Sequence, residues 1–294
     1  VTPASASRCT ALLTAWLAAS VALTVRAQSD DDRLSQAIAD SAVPGPANIT
    51  LRDEASVDIF EDTIFIPRPA ADQLMNAMGN TVGAEFIGLV VPTTETQDWF
   101  VTIDYVDSGY IADDDARDWD VDELFTSLQQ GTREGNRWRE QQGFEPIEVT
   151  GWIQEPQYDS ARHQLVWSAG VRNVGAPESE DQGVNYNTYV LGREGYLSLN
   201  LVTSETAISG QKEMMRGLLA ATRFNDGRAY ADFDSSTDRV AAYGIAALVG
   251  GIAAKKLGLL AVIAAFAVKG WKLLLIGGVA LAAAGRKFLG RKDA

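Results

Sequence analysis

From Ala47 to Thr203 the chain repeatedly alternates apolar and polar residues with a period of two, the pattern of strands that bury one face. In DWFVTIDYV, residues 98–106, Trp99, Val101, Ile103 and Tyr105 share a face. In HQLVWSAGV, residues 163–171, His163, Leu165, Trp167, Ala169 and Val171 do the same. EVTGWIQ precedes this segment, and VNYNTYVLG and GYLSLNLV follow it, joined by the glycine-bounded turn GREG. These four strands, from Glu148 to Thr203, predict an antiparallel meander. NITL, VDIF, TIFIP and AEFIGLVVP are earlier strand candidates. Three stretches change to helical spacing. One is Ala70 to Met78, after Pro67 and Pro69. The second is Asp120 to Gln142, where Val121, Leu124, Phe125, Leu128, Thr132, Gly135 and Trp138 recur. The third runs from about Ser209 to Ala221, with Met214, Met215, Leu218 and Leu219 as a core-filling stripe. Strands interspersed with a few helices, without strict alternation, predict an α+β fold: an antiparallel sheet with packed helices.

Beyond Asp238 the alternation stops. Val240 to Gly285 is almost wholly apolar and is broken by Lys255, Lys256, Lys269 and Lys272. No uninterrupted run reaches the ~20 residues of a full membrane span. A lysine near a helix end can carry its ammonium to the interface, however. A first transmembrane helical segment is therefore expected from about Asp238 to Leu257, with Lys255 and Lys256 at its far interface. Lys269, Trp271 and Lys272 suit an interfacial segment, and the basic end RKFLGRK, with Arg286 and Lys287, belongs on the cytoplasmic side. Ala246, Gly250 and Ala254 fall every four residues, a spacing that lets spans associate. At the other end, Val1 to Ala27 reads as a secretory signal peptide: Arg8, the apolar TALLTAWLAASVALTV, and the small-x-small site Val25-Arg26-Ala27. The expected organisation is a signal peptide over 1–27, a polar linker over 28–46, an extracytoplasmic α+β domain over 47–238, and a membrane anchor with a basic cytoplasmic tail over 239–294. The lipid bilayer is then one partner. The bacterial inner membrane is the expected location, with the main domain on its periplasmic side.

Charge sharpens this division. The formal net charge is −14, but it is split: Gln28 to Asp238 carries 38 acidic against 14 basic residues, Arg239 to Ala294 carries 9 basic against 1 acidic, and Lys212 is the one lysine between Gln28 and Asp238. So acidic a middle repels nucleic acid. It fits either a hydrated surface or a cationic partner. The only cysteine is Cys9, within the signal peptide, which removes disulfides, thiol catalysis and zinc–thiolate sites together. The only histidine is His163, in YDSARHQLVW at a hairpin entrance. A Ser-His-Asp arrangement would have to use it with Asp159, and there is no nucleophile-elbow motif. There is no glycine-rich phosphate loop either, and histidine-based metal chemistry fails by count. No catalytic residue, cofactor or metal is assigned. Carboxylate-only chemistry, as in glycoside cleavage, needs two facing acids, and no pair stands out among so many.

The densest acidic stretch is GYIADDDARDWDVDELF, residues 109–125. Calcium loops of the EF-hand type need Gly at position six and Glu at position twelve, and no register supplies both; an irregular site on Asp113, Asp114 and Asp115 is the alternative. The second half reads as a helix start. Asp120 followed by Glu123 resembles a capping box, and Asp122 and Glu123 complement the helix dipole. Gly131 and Gly135 would let this helix lie close to a sheet, and Gly143-Phe144 suits a left-handed stop. Asp113, Asp114, Asp115 and Asp118 remain as candidate partner-docking residues.

Four blocks also carry a resemblance: GYIADDDARDWDVDELF, GWIQEPQYDSARHQLVWS, LGREGYLSLNLV and GRAYADFDSSTDRVAAYG. They resemble a family of bacterial envelope proteins, predicted to be membrane-anchored and to contain a domain of unknown function. The likeness runs roughly from Ala47 to the C-terminus. It implies a signal peptide, an extracytoplasmic domain and a C-terminal anchor, and it brings no catalytic residues. The strand–helix order is also loosely similar to the PsbP-type α/β/α sandwich, an analogy of fold alone. Two functions follow as expectations. One is non-enzymatic partner binding or assembly, with an unidentified membrane or envelope protein. The other is an extracytoplasmic carboxylate-dependent hydrolase acting on cell-envelope glycan.

Overall fold

A computed structural model describes residues 32–249 of the chain apart from 95 and 118, and divides it into two units. In the first, Val1–Ser41 with Gly270–Ala294, only residues 32–41 are described; they form helix α1. All other described elements belong to the second unit, Ala42–Lys269.

The period-two segments pair into two antiparallel sheets. Strands β1 (Val43–Pro44), β4 (Thr63–Pro67), β5 (Phe86–Pro92), β6 (Phe100–Val106), β7 (Ile147–Asp159), β8 (Gln164–Asn173), β9 (Gly183–Leu191) and β10 (Tyr196–Ser204) form the larger, in the order β1-β4-β5-β6-β10-β9-β8-β7. The expected meander is its β7-β8-β9-β10 half. Strands β2 (Ala47–Leu51), β3 (Ala55–Ile59) and β11 (Thr222–Phe224) form the smaller, ordered β11-β3-β2. Helices α2 (Ala70–Ala77), α3 (Val121–Gln141) and α4 (Ile208–Ala220) follow the helical spacing to within a residue at each end.

Alternation divides the large sheet into two unlike faces. On one, Val101, Ile103 and Tyr105 of β6 join Leu197, Leu199 and Leu201 of β10. Met215, Leu218 and Leu219 of α4 and Leu51, Val57 and Ile59 of the small sheet close over them. The methionine stripe is thus core, because its residues meet a flat apolar sheet. The other face carries α2 over β4 and β5, and α3 over β7. There Leu124 and Leu128 of α3 bury against Val149, Leu165, Trp167 and Ala169. The fold is α+β, with a large antiparallel sheet between helices.

The termini of α3 obey local chemistry. Asp120 accepts from the backbone N–H of Asp122 at 2.9 Å and of Glu123 at 3.0 Å, satisfying two otherwise orphaned donors. At the far end Gly143 has φ +81°, and the N–H groups of Gly143 and Phe144 return to Glu140 and Arg139 at 3.0 and 2.9 Å, a Schellman stop. Arg139 is buried and ties this end down, donating to Glu145 O at 3.0 Å and to Gly79 O, beyond α2, at 2.9 Å. One expectation fails: a Cβ at Gly131 or Gly135 would meet nothing within 4 Å. The contact ridge of α3 runs through Leu124, Leu128 and Thr132, so these glycines flank the ridge and do not permit a close approach.

The C-terminal boundary also differs from the reading. The expected first span begins near Asp238, yet residues 240–249 fold onto the domain. Val240 bridges to Tyr110 in parallel fashion. Ile245–Leu248 form one 3₁₀ turn, and Ile245, Ala247, Leu248 and Val249 bury with Ile111, Leu124 and Tyr196. The physical reason is that apolarity alone does not separate lipid-facing from core-facing residues. No helix among the described residues is long and apolar enough to cross a membrane. The signal peptide (1–27), Asp118, Gly250, Ala254, Lys255, Lys256, Lys269, Lys272, Arg286 and Lys287 lie outside the described residues.

Candidate functional site

The four blocks singled out in the sequence meet at one end of the large sheet, where β6 ends, β7 turns into β8 and β9 turns into β10. The meeting is made first by backbone. Gly109 donates to Glu194 O, Tyr110 to Arg239 O, and Ala241 back to Tyr110 O, each at 2.8 Å. Leu191 donates to His163 O and Arg193 to Arg228 O, both at 2.9 Å. Gly109 is required here: its φ is +84°, and a Cβ would sit 2.6 Å from Arg239 O.

The acidic stretch supplies the side-chain fastenings. Asp113 accepts from the Tyr158 hydroxyl at 2.6 Å. Asp115 accepts from the N–H of Ile245 at 3.1 Å and of Ala246 at 3.3 Å, so it fixes the 3₁₀ turn that leads to Val249. Gly244 makes room for this carboxylate; a Cβ there would overlap Asp115. Two of the candidate docking residues therefore have intramolecular partners, and Asp114 is exposed. The carboxylates of Asp113 and Asp115 diverge toward separate partners. Among the described residues no three His, Cys, Asp or Glu side chains are grouped to hold a metal.

Beside this latch lies a row of rings. His163 stacks on Tyr230 at 4.1 Å between centroids, Tyr230 on Tyr110 at 4.4 Å, and Tyr110 on Phe233 at 3.8 Å. The Tyr230 hydroxyl donates to Ile111 O at 2.9 Å. His163 takes φ +51° at the tip of the β7–β8 turn, a conformation histidine adopts more readily than most residues. Its Nδ1 lies 3.3 Å from the Tyr158 oxygen and 4.0 Å from Asp113. Asp159 does not partner it: Asp159 caps the turn through Ala161 N and pairs with Arg162 at 2.6 Å. Burial pushes both tyrosine hydroxyls well above their ordinary value; acceptance by Asp113 adds to the shift at Tyr158, and a bond with Tyr110 adds to it at Tyr230. Both rings therefore act as fixed hydrogen-bond donors.

A bidentate pair completes the joint. Arg193 Nε and Nη2 reach Asp238 at 2.7 and 2.9 Å, and this bond holds the Asp238 carboxyl well below the usual carboxylate range. On the opposite face of the sheet end is a cleft of about 480 Å³ lined by Arg52, Asp53, Glu54, Tyr105, Asp107, Gly109, Glu194 and Arg239. Arg239 pairs with Asp107, and Arg228 bridges Glu194 and Glu54. The cleft thus presents charges of both signs beside Val240, whose side chain is exposed at 54%. What this end offers is a rigid surface of fixed polarity. Sequence reasoning flagged the acidic stretch but missed the ring stack and the Arg193–Asp238 pair. Their signal was the glycines and aromatics of the other three blocks.

The family model for DUF2167, a protein of unknown function, matches residues 43–280. No curated protein matches the chain. Among solved structures, the solution structure of the cyanobacterial PsbP protein CyanoP from Synechocystis sp. PCC 6803 is similar, at 11% identity and a TM-score of 0.36, over 63% of this chain and 92% of that one. The crystal structure of the Ran-binding protein Mog1p from Saccharomyces cerevisiae is similar at 9% identity and a TM-score of 0.29, over 62% of this chain and 96% of that one. Likenesses this distant carry no argument about function.

Proposed function

We infer that this chain, which belongs to the DUF2167 family, is a membrane-attached envelope protein whose extracytoplasmic domain binds a partner protein without catalysing a reaction. The observation that carries this reading is the latch. Asp115, Gly244 and the Tyr110–Val240 bridge fasten residues 240–249 to the domain, immediately before the apolar, lysine-punctuated sequence that follows. A segment so fastened holds the domain at a set distance from whatever its continuation enters. With residues 240–249 held on the domain, Lys255 and Lys256 are too few residues on to have crossed the ~30 Å core, so they mark its near interface and the crossing lies beyond them, with Arg286 and Lys287 on the cytoplasmic side. The signal peptide over 1–27 delivers the domain to the periplasmic side of the inner membrane.

The docking surface consists of the two-signed cleft, exposed Val240 and exposed Asp114. Asp113, Asp115, Tyr158, Tyr230, Arg193 and Asp238 are committed to one another or to the backbone, and His163 stands against tyrosines held protonated, an arrangement suited to rigidity. The experiment is capture from native membranes by the full chain, wild type against Val240→Asp. The side chain of Val240 is exposed, so the substitution leaves the thermal midpoint within about 2 °C. The expected result is a discrete co-purifying membrane protein that the variant loses. Undiminished capture by Val240→Asp, or release of sugar from cell-wall glycan by the purified chain, contradicts the reading.

A further inference from the structure

The cleft beside Val240 is built by three segments that the fold holds close. The β2–β3 turn brings Asp53 and Glu54, β6 and its end bring Tyr105 and Asp107, and the β9–β10 turn brings Glu194. The first segment is fixed from behind: Asn225 N donates to Glu54 O and Asn225 Nδ2 to Asp53 O, both at 2.9 Å. Two carboxylates on adjacent residues are thereby set in place before anything binds, which lowers the ordering cost of a contact.

The charges of the cleft do not balance. Four carboxylates line it, those of Asp53, Glu54, Asp107 and Glu194. Arg239 donates to Asp107 and Arg228 to Glu194. Arg52 lines the cleft as well, but its guanidinium donates to Ala84 O and acts on Asp104. Asp104 precedes Tyr105 on β6 and so points to the other face of the sheet; the Arg52 charge is engaged away from the cleft. Glu54 has no such direct bond from an arginine. Its side chain is 16% exposed, and Arg228 Nη1 stands 3.6 Å from it, beyond hydrogen-bond reach. It accepts from the Tyr105 hydroxyl, which burial and then Glu54 itself push above its ordinary value, so that this phenol stays a donor to Glu54. Asp53 beside it is exposed. The cleft is therefore richer in acceptors than in donors, and negative.

That balance selects its guest. An anion is repelled, and an apolar group would cover Glu54 without supplying a donor. A metal ion asks for three grouped carboxylates or imidazoles, and none are so grouped among the described residues. A guanidinium meets the demand: it is planar, keeps its charge in any surroundings, and offers five N–H donors that carboxylates take in parallel pairs. A cleft of about 480 Å³ has room for the whole side chain. We propose that the cleft takes an arginine side chain of the partner protein, whose guanidinium bonds to Glu54 and Asp53 while an apolar neighbour of that arginine covers Val240. The proposal rests on the reading that this end docks a partner, and it adds what the partner must present there.

The test titrates acetyl-leucyl-arginine amide, and the same peptide with citrulline, into the full-length protein in an uncharged detergent, followed by calorimetry. Citrulline keeps the shape of arginine and removes its charge. Millimolar binding of the arginine peptide is expected, at least tenfold weaker for the citrulline peptide and falling as salt is raised. Glu54→Gln should weaken the arginine peptide about tenfold and Asp53→Asn several-fold; Asp53→Asn, at an exposed position, serves alone if Glu54→Gln does not fold. Equal affinity for the two peptides, or none for either, overturns the proposal. Capture from native membranes by the same variants separates it from the reading beneath it. A partner lost by Val240→Asp but kept in full by Glu54→Gln and Asp53→Asn overturns the proposal and leaves the docking reading standing, whereas a wild type that captures nothing overturns both.

Discussion

Replacing Asp104 by asparagine tests how the charge at the centre of the sheet bears on stability. Burial and the neighbouring Glu85 hold this carboxyl at about 7, against an ordinary 3.8. Between those values the folded protein keeps a proton that the unfolded chain has released, so stability falls as pH rises through the window and the full cost applies above it. A displacement of this size is worth about 4 kcal/mol at 1.36 kcal/mol per pH unit. Partial solvent access reduces the expected effect to about 2 kcal/mol. The amide that replaces the carboxyl has nearly the same shape and no charge to desolvate. Urea unfolding of the full chain, followed by tryptophan fluorescence at about pH 5 and about pH 8, measures both proteins. Because the window opens below pH 5, the wild type should lose about 1 kcal/mol of this between the two conditions, and Asp104→Asn should lose little and be the more stable at the higher pH. If the variant keeps the wild-type difference, or is the weaker protein at pH 8, the carboxyl is not the group that titrates and the reasoning fails.

Three further sets of substitutions probe other parts of the account. Gly244→Ala drives a methyl group into the Asp115 carboxylate; with its cap lost, the 245–249 turn should loosen at a cost of about 1–2 kcal/mol, read as a lower thermal midpoint and new protease cleavage between 239 and 249. Arg139→Leu leaves the carbonyls of Gly79 and Glu145 without the donor they share; it should cost about 2–3 kcal/mol in denaturant unfolding. Gly131→Ala and Gly135→Ala enter open space within α3, so each should raise stability by about 0.5–1 kcal/mol, whereas a loss would show that a neighbour approaches them.

The sequence made the strands legible because the strands of the large sheet's second half carry one apolar face, and a period of two survives in the spelling. It made α3 legible because Asp120 and Gly143 mark its ends by local chemistry. β1 and β11 went unread, being two and three residues long, too short for any period to show. The acidic stretch was read half correctly. Its second half is a helix cap, which depends on neighbours in sequence. Its first half is a latch whose partners, Tyr158 and Ile245, stand 45 and 130 residues away, a distance that spacing rules cannot span. The polar rows at the sheet centre, Asp104 with Ser198 and Tyr189 and Thr102 with Asn200 and Asn187, were hidden for another reason. On each strand they occupy the alternate positions that a period-two reading assigns to solvent, and only the fold encloses them.

The central claim is that the latch end of the sheet docks a membrane partner. Photo-crosslinking in intact membranes tests it most directly, with the same benzophenone residue placed in turn at Val240 and Val174. Both side chains are 54% exposed, and they stand at opposite ends of the sheet: Val240 bridges Tyr110 and Val174 follows β8 beside Pro146. The account predicts one discrete protein adduct from position 240 and none from position 174. Equal labelling from both positions, or a chain that washes off the membrane and forms no protein adduct at 240, contradicts it.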